Sequence, residues 1–178
     1  MLYTELTKKA LRVCFDAHKE QSDRGGAPYV FHPFHLAEQM TDELSTVTAL
    51  LHDTVEDTDL TLEALSDMGF PREVTDALRL LTRTPGIPYT DYIRALKPNP
   101  IARAVKRADL AHNADLSRLP RVTDADLARA EKYRLAAEYL DAPDEPVQSS
   151  EPVQSDEPDD NDSPVSPADA EGTVRKET

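Results

Sequence analysis

The 178-residue sequence predicts an all-α bundle of roughly seven or eight helices followed by a disordered acidic tail. Three observations carry that expectation. No segment alternates apolar and polar residues with period two for long enough to make a half-buried strand. Across the first 140 positions apolar residues instead recur at spacings of three and four, which places them on one face of a helix. After Leu140 the aromatic residues stop, and Pro, Ser, Asp and Glu dominate. Residues 141–178 carry 12 acidic and 2 basic side chains, so this stretch holds −10 of the net −14 and residues 1–140 hold −4. The near-repeat "EPVQSSEPVQSDEP" cannot bury enough apolar surface to offset the entropy of ordering it. The chain therefore divides into a domain, 1–140, and a tail, 141–178.

The helices follow in order. Thr4 is placed to cap a first helix carrying Leu6, Ala10, Val13 and Ala17. The glycines and proline of "DRGGAPY" (23–29) break it. Pro33 sits early in a short second helix that reaches about Met40. A third runs from about Ser45 into "LLHDTVEDTD", with Leu44, Thr48, Leu51 and Val55 as its apolar stripe. Thr61 opens a short fourth and Gly69 ends it; Pro71 begins a fifth. Beyond the "TPGIP" loop, "YTDYIRAL" is the next. Asn99 followed by Pro100 supplies a cap and a first-turn proline for "PIARAVKRADLAHN". Thr123 and Asp126 form a capping-box pattern for the last helix, which ends near Leu140.

Composition also excludes functions. The single cysteine, Cys14, rules out an intrachain disulfide and accords with a reducing compartment. The start "MLYTELTKKALRV" lacks a long apolar stretch before a cleavage site, and no apolar run has the length to span a bilayer. A cytoplasmic protein without membrane or nucleic-acid partners is expected, since an acidic tail opposes affinity for both polyanions. The tail's own partner is unknown.

The chemistry concentrates at "LLHDTVEDTD", where an apolar helix leads into His52, Asp53, Glu56 and Asp57. On a continuous helix these four span an arc of about 140° opposite the apolar stripe. Carboxylates packed this closely repel one another and raise each other's pKa unless a cation joins them. Adjacent ligands on one helix cannot complete a coordination sphere, so others must come from elsewhere. His32 in "PYVFHPFH" and Asp109 in "KRADLAHN" complete a mixed nitrogen–oxygen set without thiolate. That set suits Mn²⁺, Fe²⁺ or another six-coordinate ion better than structural zinc.

An adjacent His-Asp pair, with a distant His before it and a distant Asp after it on helical segments, resembles the HD phosphohydrolase pattern. More narrowly, "AHKEQ", "GGAPYVFHP", "ALLHDTVEDT" and "VKRADLAHN" resemble the hydrolase domain of Rel/SpoT-type alarmone enzymes and the small alarmone hydrolases. The resemblance covers roughly residues 8 to 120. It implies Mn²⁺-assisted removal of the 3′-pyrophosphate from guanosine tetra- or pentaphosphate, or from a related phosphorylated nucleotide. It assigns His32, His52, Asp53 and Asp109 as metal ligands and Glu56 and Asp57 as the pair that positions and activates water. Asn113 matches a nucleotide-contacting residue. In one respect the sequence departs from the family, which carries two basic residues before the Gly-x-Pro-Tyr turn, one stacking on guanine. Asp23-Arg24 stands there, leaving Arg24 as the planar cation, and an arginine at position 23 is expected to sharpen guanine preference.

Plainer readings apply to the neighbours. His18 is expected to pack as a satisfied histidine, His35 to pack or hydrogen-bond behind His32, and His112 to support the core. A solvated face is the plain alternative for Arg103, Lys106 and Arg107 and the favoured one for Arg103, while Cys14 fits an inert core position. The alternative function is a catalytically silent HD-fold module that senses a nucleotide or partner. The complete set of six acidic and histidine residues opposes it.

Overall fold

In the computed structural model, residues 3–143 are described. Among them are nine α-helices and no strand: α1 Glu5–His18, α2 Phe31–Glu38, α3 Glu43–Leu51, α4 Thr54–Asp57, α5 Leu62–Asp67, α6 Arg72–Leu81, α7 Tyr89–Leu96, α8 Pro100–Ala114 and α9 Asp124–Asp141, with a 3₁₀ turn at Leu116–Arg118. The all-α expectation holds. The helix ends are set by the residues that sequence chemistry favours there. Thr4 caps α1, Asp42 caps α3, Thr61 caps α5 and Asn99 caps α8, each side chain accepting from a backbone N–H in the first turn. Thr123 and Asp126 form the reciprocal box at α9. The expected tail lies, from residue 144 on, outside the described residues. Asp141, placed in that tail by composition, instead closes α9 and pairs with Arg107 of α8.

Helix α3 is the centre of the domain. It packs against α1, α2, α6 and α8, and every residue from Ser45 to Leu51 is buried. The expected stripe is thus a helix buried all round, the pattern of a segment surrounded by other helices. Around it lie Ala10, Cys14, Leu36, Leu78, Val105 and Leu110, all essentially without exposure. A ligand carried on such an element is held by packing on all sides, so its side chain is not free to reorient. Cys14 belongs to this core, and burial, then the Asp53 carboxylate, pushes its thiol up to about 12. It is inert, as expected.

Candidate active site

The sequence runs one helix through "LLHDTVEDTD", whereas the structure breaks it after Leu51. The Thr54 hydroxyl donates to the Leu51 carbonyl at 2.7 Å, and His52 Nδ1 lies 2.9 Å from the Ala49 carbonyl. Two of the last carbonyls of α3 are therefore satisfied by side chains. Asp53 sits at φ −102°, ψ −4°, in the sparsely populated bridge region, before α4 adds a single turn. The break turns Asp53 back on its neighbour: His52 Nε2 and Asp53 Oδ2 are 2.8 Å apart.

Two other helices bring the remaining donors. His32, near the start of α2, places Nε2 3.2 Å from Asp109 Oδ1 and 3.7 Å from Asp53 Oδ2. Asp109, on α8, has the same oxygen 4.0 Å from His52 Nε2. Ligand atoms of His32, His52 and Asp109 all lie within 4.8 Å of one another, and Asp53 closes the group through its contacts with both imidazoles. The four residues that sequence spacing singled out thus meet at one point, although they come from three separate stretches of chain.

Hydrogen bonds to the far side of each group fix which atom faces that point. His52 Nδ1 is committed to the Ala49 carbonyl, which leaves the lone pair on Nε2. His32 Nδ1 is 2.6 Å from His112 Nδ1, and the Arg118 guanidinium approaches that same nitrogen at 3.0 Å. A guanidinium can only donate, so His112 Nδ1 accepts and His32 Nδ1 carries the hydrogen. His32 Nε2 is then also a lone-pair donor. Burial, then the neighbouring His32 ring and the Arg118 charge, lower His112 to about 4 and keep it neutral. Tyr29 donates its hydroxyl to Asp53, while Lys106 at 2.7 Å and Asn113 at 2.5 Å donate to the two oxygens of Asp109. Such outer partners fix the orientation of metal ligands and raise their basicity.

The residues fit a divalent cation. His52 Nε2 is buried and makes no hydrogen bond, yet it faces a carboxylate oxygen at 2.8 Å. Two lone pairs in contact would repel, so the pair needs a positive charge, whether a proton on Nε2 or a cation bound in its place. The local field has that sign. Burial disfavours the imidazolium, but Asp53 and then Asp109 outweigh it and raise His52 to about 9. Burial raises Asp109 as well, and Lys106 and the imidazoles outweigh that to hold it well below the usual carboxylate range.

Glu56 and Asp57 border this group from different sides. Glu56 accepts from the backbone N–H of Arg83 at 3.2 Å and lines a cavity with Asp109 and Lys106. Asp57 lies toward His18 and Gln21, the Gln21 amide donating to its backbone carbonyl. Burial, then the Asp53 charge, raises its carboxyl above the usual range. Both carboxylates nevertheless border the same cluster, Glu56 sharing a cavity with Asp109 and Asp57 feeling the Asp53, His52 and His32 groups.

On the other side of His32 opens a pocket of about 240 Å³, lined by loop residues 22–25, Tyr29, Asn113, Arg118 and Arg129, among others. Arg24 stands at its rim, paired with Asp126 at 2.8 Å. Asp23 does not present a free anion. Its Oδ1 accepts from the backbone N–H groups of Gly25 and Ala27, and its Oδ2 pairs with Arg118 at 2.9 Å. The loop is pressed against the chain beyond α8 so closely that a Cβ on Gly25 would meet the Arg118 carbonyl at 2.5 Å.

Some contributions were missed from sequence. Lys106, for which a solvated face is only the plain alternative and no role is assigned, is largely buried on Asp109. His112, read as core support, orients His32. Both lie on the Asp109 face of α8, at i−3 and i+3, so helical spacing was the available signal. His18 is buried as expected, but among the described residues only its Nδ1 is bonded, to Gln21 at 2.8 Å, and Nε2 makes no hydrogen bond. His35 packs its ring 4.5 Å from His112, in line with expectation.

No family model matches the chain. Individual relatives do. Over 121 residues, 61% of this chain, it is 37% identical to a probable GTP pyrophosphokinase of Mycobacterium leprae, of which the match covers 15%. A guanosine-3′,5′-bis(diphosphate) 3′-pyrophosphohydrolase of Aquifex aeolicus is 34% identical over 49% of this chain and 13% of its own length. The chain thus spans a small part of these long relatives. The Mus musculus enzyme of that same name is 35% identical over 120 residues, 58% of this chain and 66% of the relative. A solved structure of a metazoan ortholog of SpoT, a protein that hydrolyses ppGpp and acts in starvation responses, superposes with a TM-score of 0.60. It covers 79% of this chain and 85% of its own, at 24% identity. A helical bundle in which an adjacent His-Asp pair meets a distant His and a distant Asp resembles those of the HD superfamily. Within that superfamily the chain resembles the Rel/SpoT-type hydrolase domain and the small alarmone hydrolases.

Proposed function

We propose that the protein is a metal-dependent hydrolase that removes the 3′-pyrophosphate from guanosine tetra- or pentaphosphate, or from a closely related nucleotide. The observation that carries the reading is the convergence of His32, His52, Asp53 and Asp109, each oriented by a hydrogen bond on its far side. The names of the relatives support the substrate class. These four residues would hold a divalent ion, and the absence of thiolate with room for oxygen donors favours Mn²⁺. When bound, such an ion polarises a phosphoryl oxygen and acidifies water.

The chain's own residues do the rest. Asn113 and Arg24 border the larger pocket and are assigned to the nucleotide. Glu56 and Asp57 flank the ligand group and are assigned to hold the attacking water and take its proton. Glu56 is pre-positioned by the Arg83 N–H, so its orientation does not depend on substrate. In the reaction the water oxygen bonds to the phosphorus next to the 3′ oxygen and the bond between them breaks. One water proton passes to the 3′ oxygen by way of the carboxylates, and the other leaves with pyrophosphate. Among the described residues no helix is long and apolar enough to cross a membrane. Cys14, buried and free, accords with a cytoplasmic setting.

The test is a nucleotide panel assayed for phosphate and pyrophosphate, with and without added divalent metal. Metal-dependent pyrophosphate release from 3′-diphosphate nucleotides is expected. Nucleotide binding without any turnover would instead identify a silent sensor. Truncation after Pro143, which separates the proposed domain from the acidic tail, is expected to leave turnover and melting temperature nearly unchanged.

A further inference from the structure

Across Asn113 and Tyr133 from the nucleotide pocket lies a second cavity of about 140 Å³. A water molecule takes up roughly 30 Å³, so a small polyatomic anion has space there. One wall is Glu56 and Asp109, shared with the ligand group. The other is built from separate elements: Arg83 after α6, Tyr89 at the start of α7 and Lys132 on α9.

The charges on that far wall have no carboxylate to neutralise them. Lys106 is matched by Asp109. Arg83 instead donates to the Ile87 carbonyl and lies 5.7 Å over the Tyr89 ring. Lys132 sits 4.6 Å over the same ring and 5.0 Å over Tyr133. No carboxylate lies within ion-pair distance of Arg83 or Lys132 among the described residues. Burial, then Arg83, Arg129 and Lys106, hold Lys132 below the usual lysine range, so its surroundings repel a cation and would welcome an anion. The Tyr89 hydroxyl is buried and makes no hydrogen bond among the described residues, a donor lacking its acceptor.

We propose that Arg83, Lys132 and Tyr89 form the subsite for the distal phosphate of a substrate's 3′-diphosphate, and thereby select diphosphate over monophosphate. This rests on the hydrolase reading above. It also sets the direction of the substrate: nucleoside in the larger pocket, reacting phosphorus at the four ligands, distal phosphate against the cationic wall. Arg83 then has two duties, because its backbone N–H holds Glu56 while its guanidinium meets the distal phosphate of the group that water attacks. The arrangement favours a 3′ group that ends in several acceptor oxygens, as a guanidinium and an ammonium donate best to phosphate.

The experiment uses the full chain, metal-loaded, with Arg83→Met, Lys132→Met and their combination, and Arg72→Met as a distant surface control. Inorganic pyrophosphate binding is titrated at fixed saturating metal. In parallel, kcat/KM is compared for guanosine 5′-diphosphate carrying a 3′-diphosphate or a 3′-monophosphate. Each single variant is expected to weaken pyrophosphate binding by about tenfold or more, the weight of a charge-assisted hydrogen bond. Preference for the 3′-diphosphate should collapse with it, mainly through KM, while Arg72→Met changes neither. Tyr89→Phe is expected to act in the same direction with a smaller effect. Unchanged pyrophosphate binding in the double variant, or none in the wild type, would overturn the subsite even if hydrolysis is observed. Conversely, pyrophosphate binding that the variants abolish, in a protein that hydrolyses no nucleotide, would keep the subsite and sink the hydrolase reading.

Discussion

The two walls of the site are built by different means. The inner wall carries His32, His52, Asp53 and Asp109 on or beside α2, α3 and α8, and His32, His52 and Asp109 are at most 5% exposed. Each has a dedicated partner behind it, in Ala49, His112, Tyr29, Lys106 or Asn113. The outer wall is the loop from Ser22 to Ala27 and the segment after α8, tied by Asp23–Arg118 and by Arg24 and Arg129 meeting on Asp126. Buried, doubly bonded ligands cannot be changed without leaving a neighbour unsatisfied. Partly exposed ion pairs are screened by salt and individually weak. The contrast teaches that chemistry is fixed by packing and recognition by electrostatics, and the two should fail differently when mutated.

The largest failure should come from the inner wall. Asp53→Asn keeps the volume and an acceptor oxygen for Tyr29 but removes the charge that a hard cation needs. We expect metal content and turnover to fall together by more than the ~10–100-fold typical of losing an outer partner. Helicity should persist, because the α3 core is untouched. Elemental analysis and circular dichroism on the same preparation check this, and a fully loaded, active variant would refute the ligand assignment.

Glu56→Gln is next. It retains the ligands and an acceptor for Arg83 N–H but cannot take a proton. Turnover should drop by ~10²–10⁴, the usual contribution of a general base, with metal content and KM little altered. Loss of metal would reassign Glu56 to the ligand set. Tyr29→Phe probes the support layer. It removes only the hydroxyl that orients Asp53, and metal affinity should fall ~10–100-fold, read by titration with a competing chelator. An unchanged affinity would mean that packing alone holds Asp53 in place.

The same contrast explains what was legible in the sequence. The proposed ligands could be found because chemistry restricts such groups to few residue types, and the starts of α8 and α9 followed from Asn99-Pro100 and Thr123. Helical periodicity shows which residues share a face but not which helix that face meets. Lys106 on Asp109 and Asp23 on Arg118 are therefore decided by packing between segments far apart in the chain. The break at His52 was hidden for another reason. "ALLHDTVED" contains no glycine or proline, and what stops α3 is Thr54 and His52 bonding its carbonyls. Arg83 and Lys132 are 49 positions apart and read singly as surface charge.

The smallest and most discriminating expectation concerns Asp23, where sequence and structure disagree. Family resemblance treats the position as one that stacks on guanine, so arginine there should sharpen base preference. The structure gives Asp23 another task, since its carboxylate accepts from Gly25, Ala27 and Arg118 and ties the pocket loop to the segment after α8. Burial opposes its ionisation, but the Arg118 hydrogen bond and the two N–H groups outweigh that and lower its pKa. The sign follows: this anchorage is present above the ordinary aspartate value and is lost as pH falls through the lowered one, so it is intact at neutral pH. Asp23→Arg removes all three acceptor contacts and sets a second cation beside Arg118. KM should rise about tenfold, as for loss of a charged hydrogen bond, with kcat nearly constant and no gain in guanine over adenine preference. Asp23→Asn keeps an acceptor oxygen for the loop N–H groups and loses only the charge, so its effect should be smaller and should shrink further in high salt. The measurement is kcat/KM for matched guanosine and adenosine 3′-diphosphate substrates at low and high ionic strength. Sharpened guanine preference in Asp23→Arg with an unchanged KM would show that residue 23 faces the base after all, and that the loop keeps its shape without the Arg118 pair.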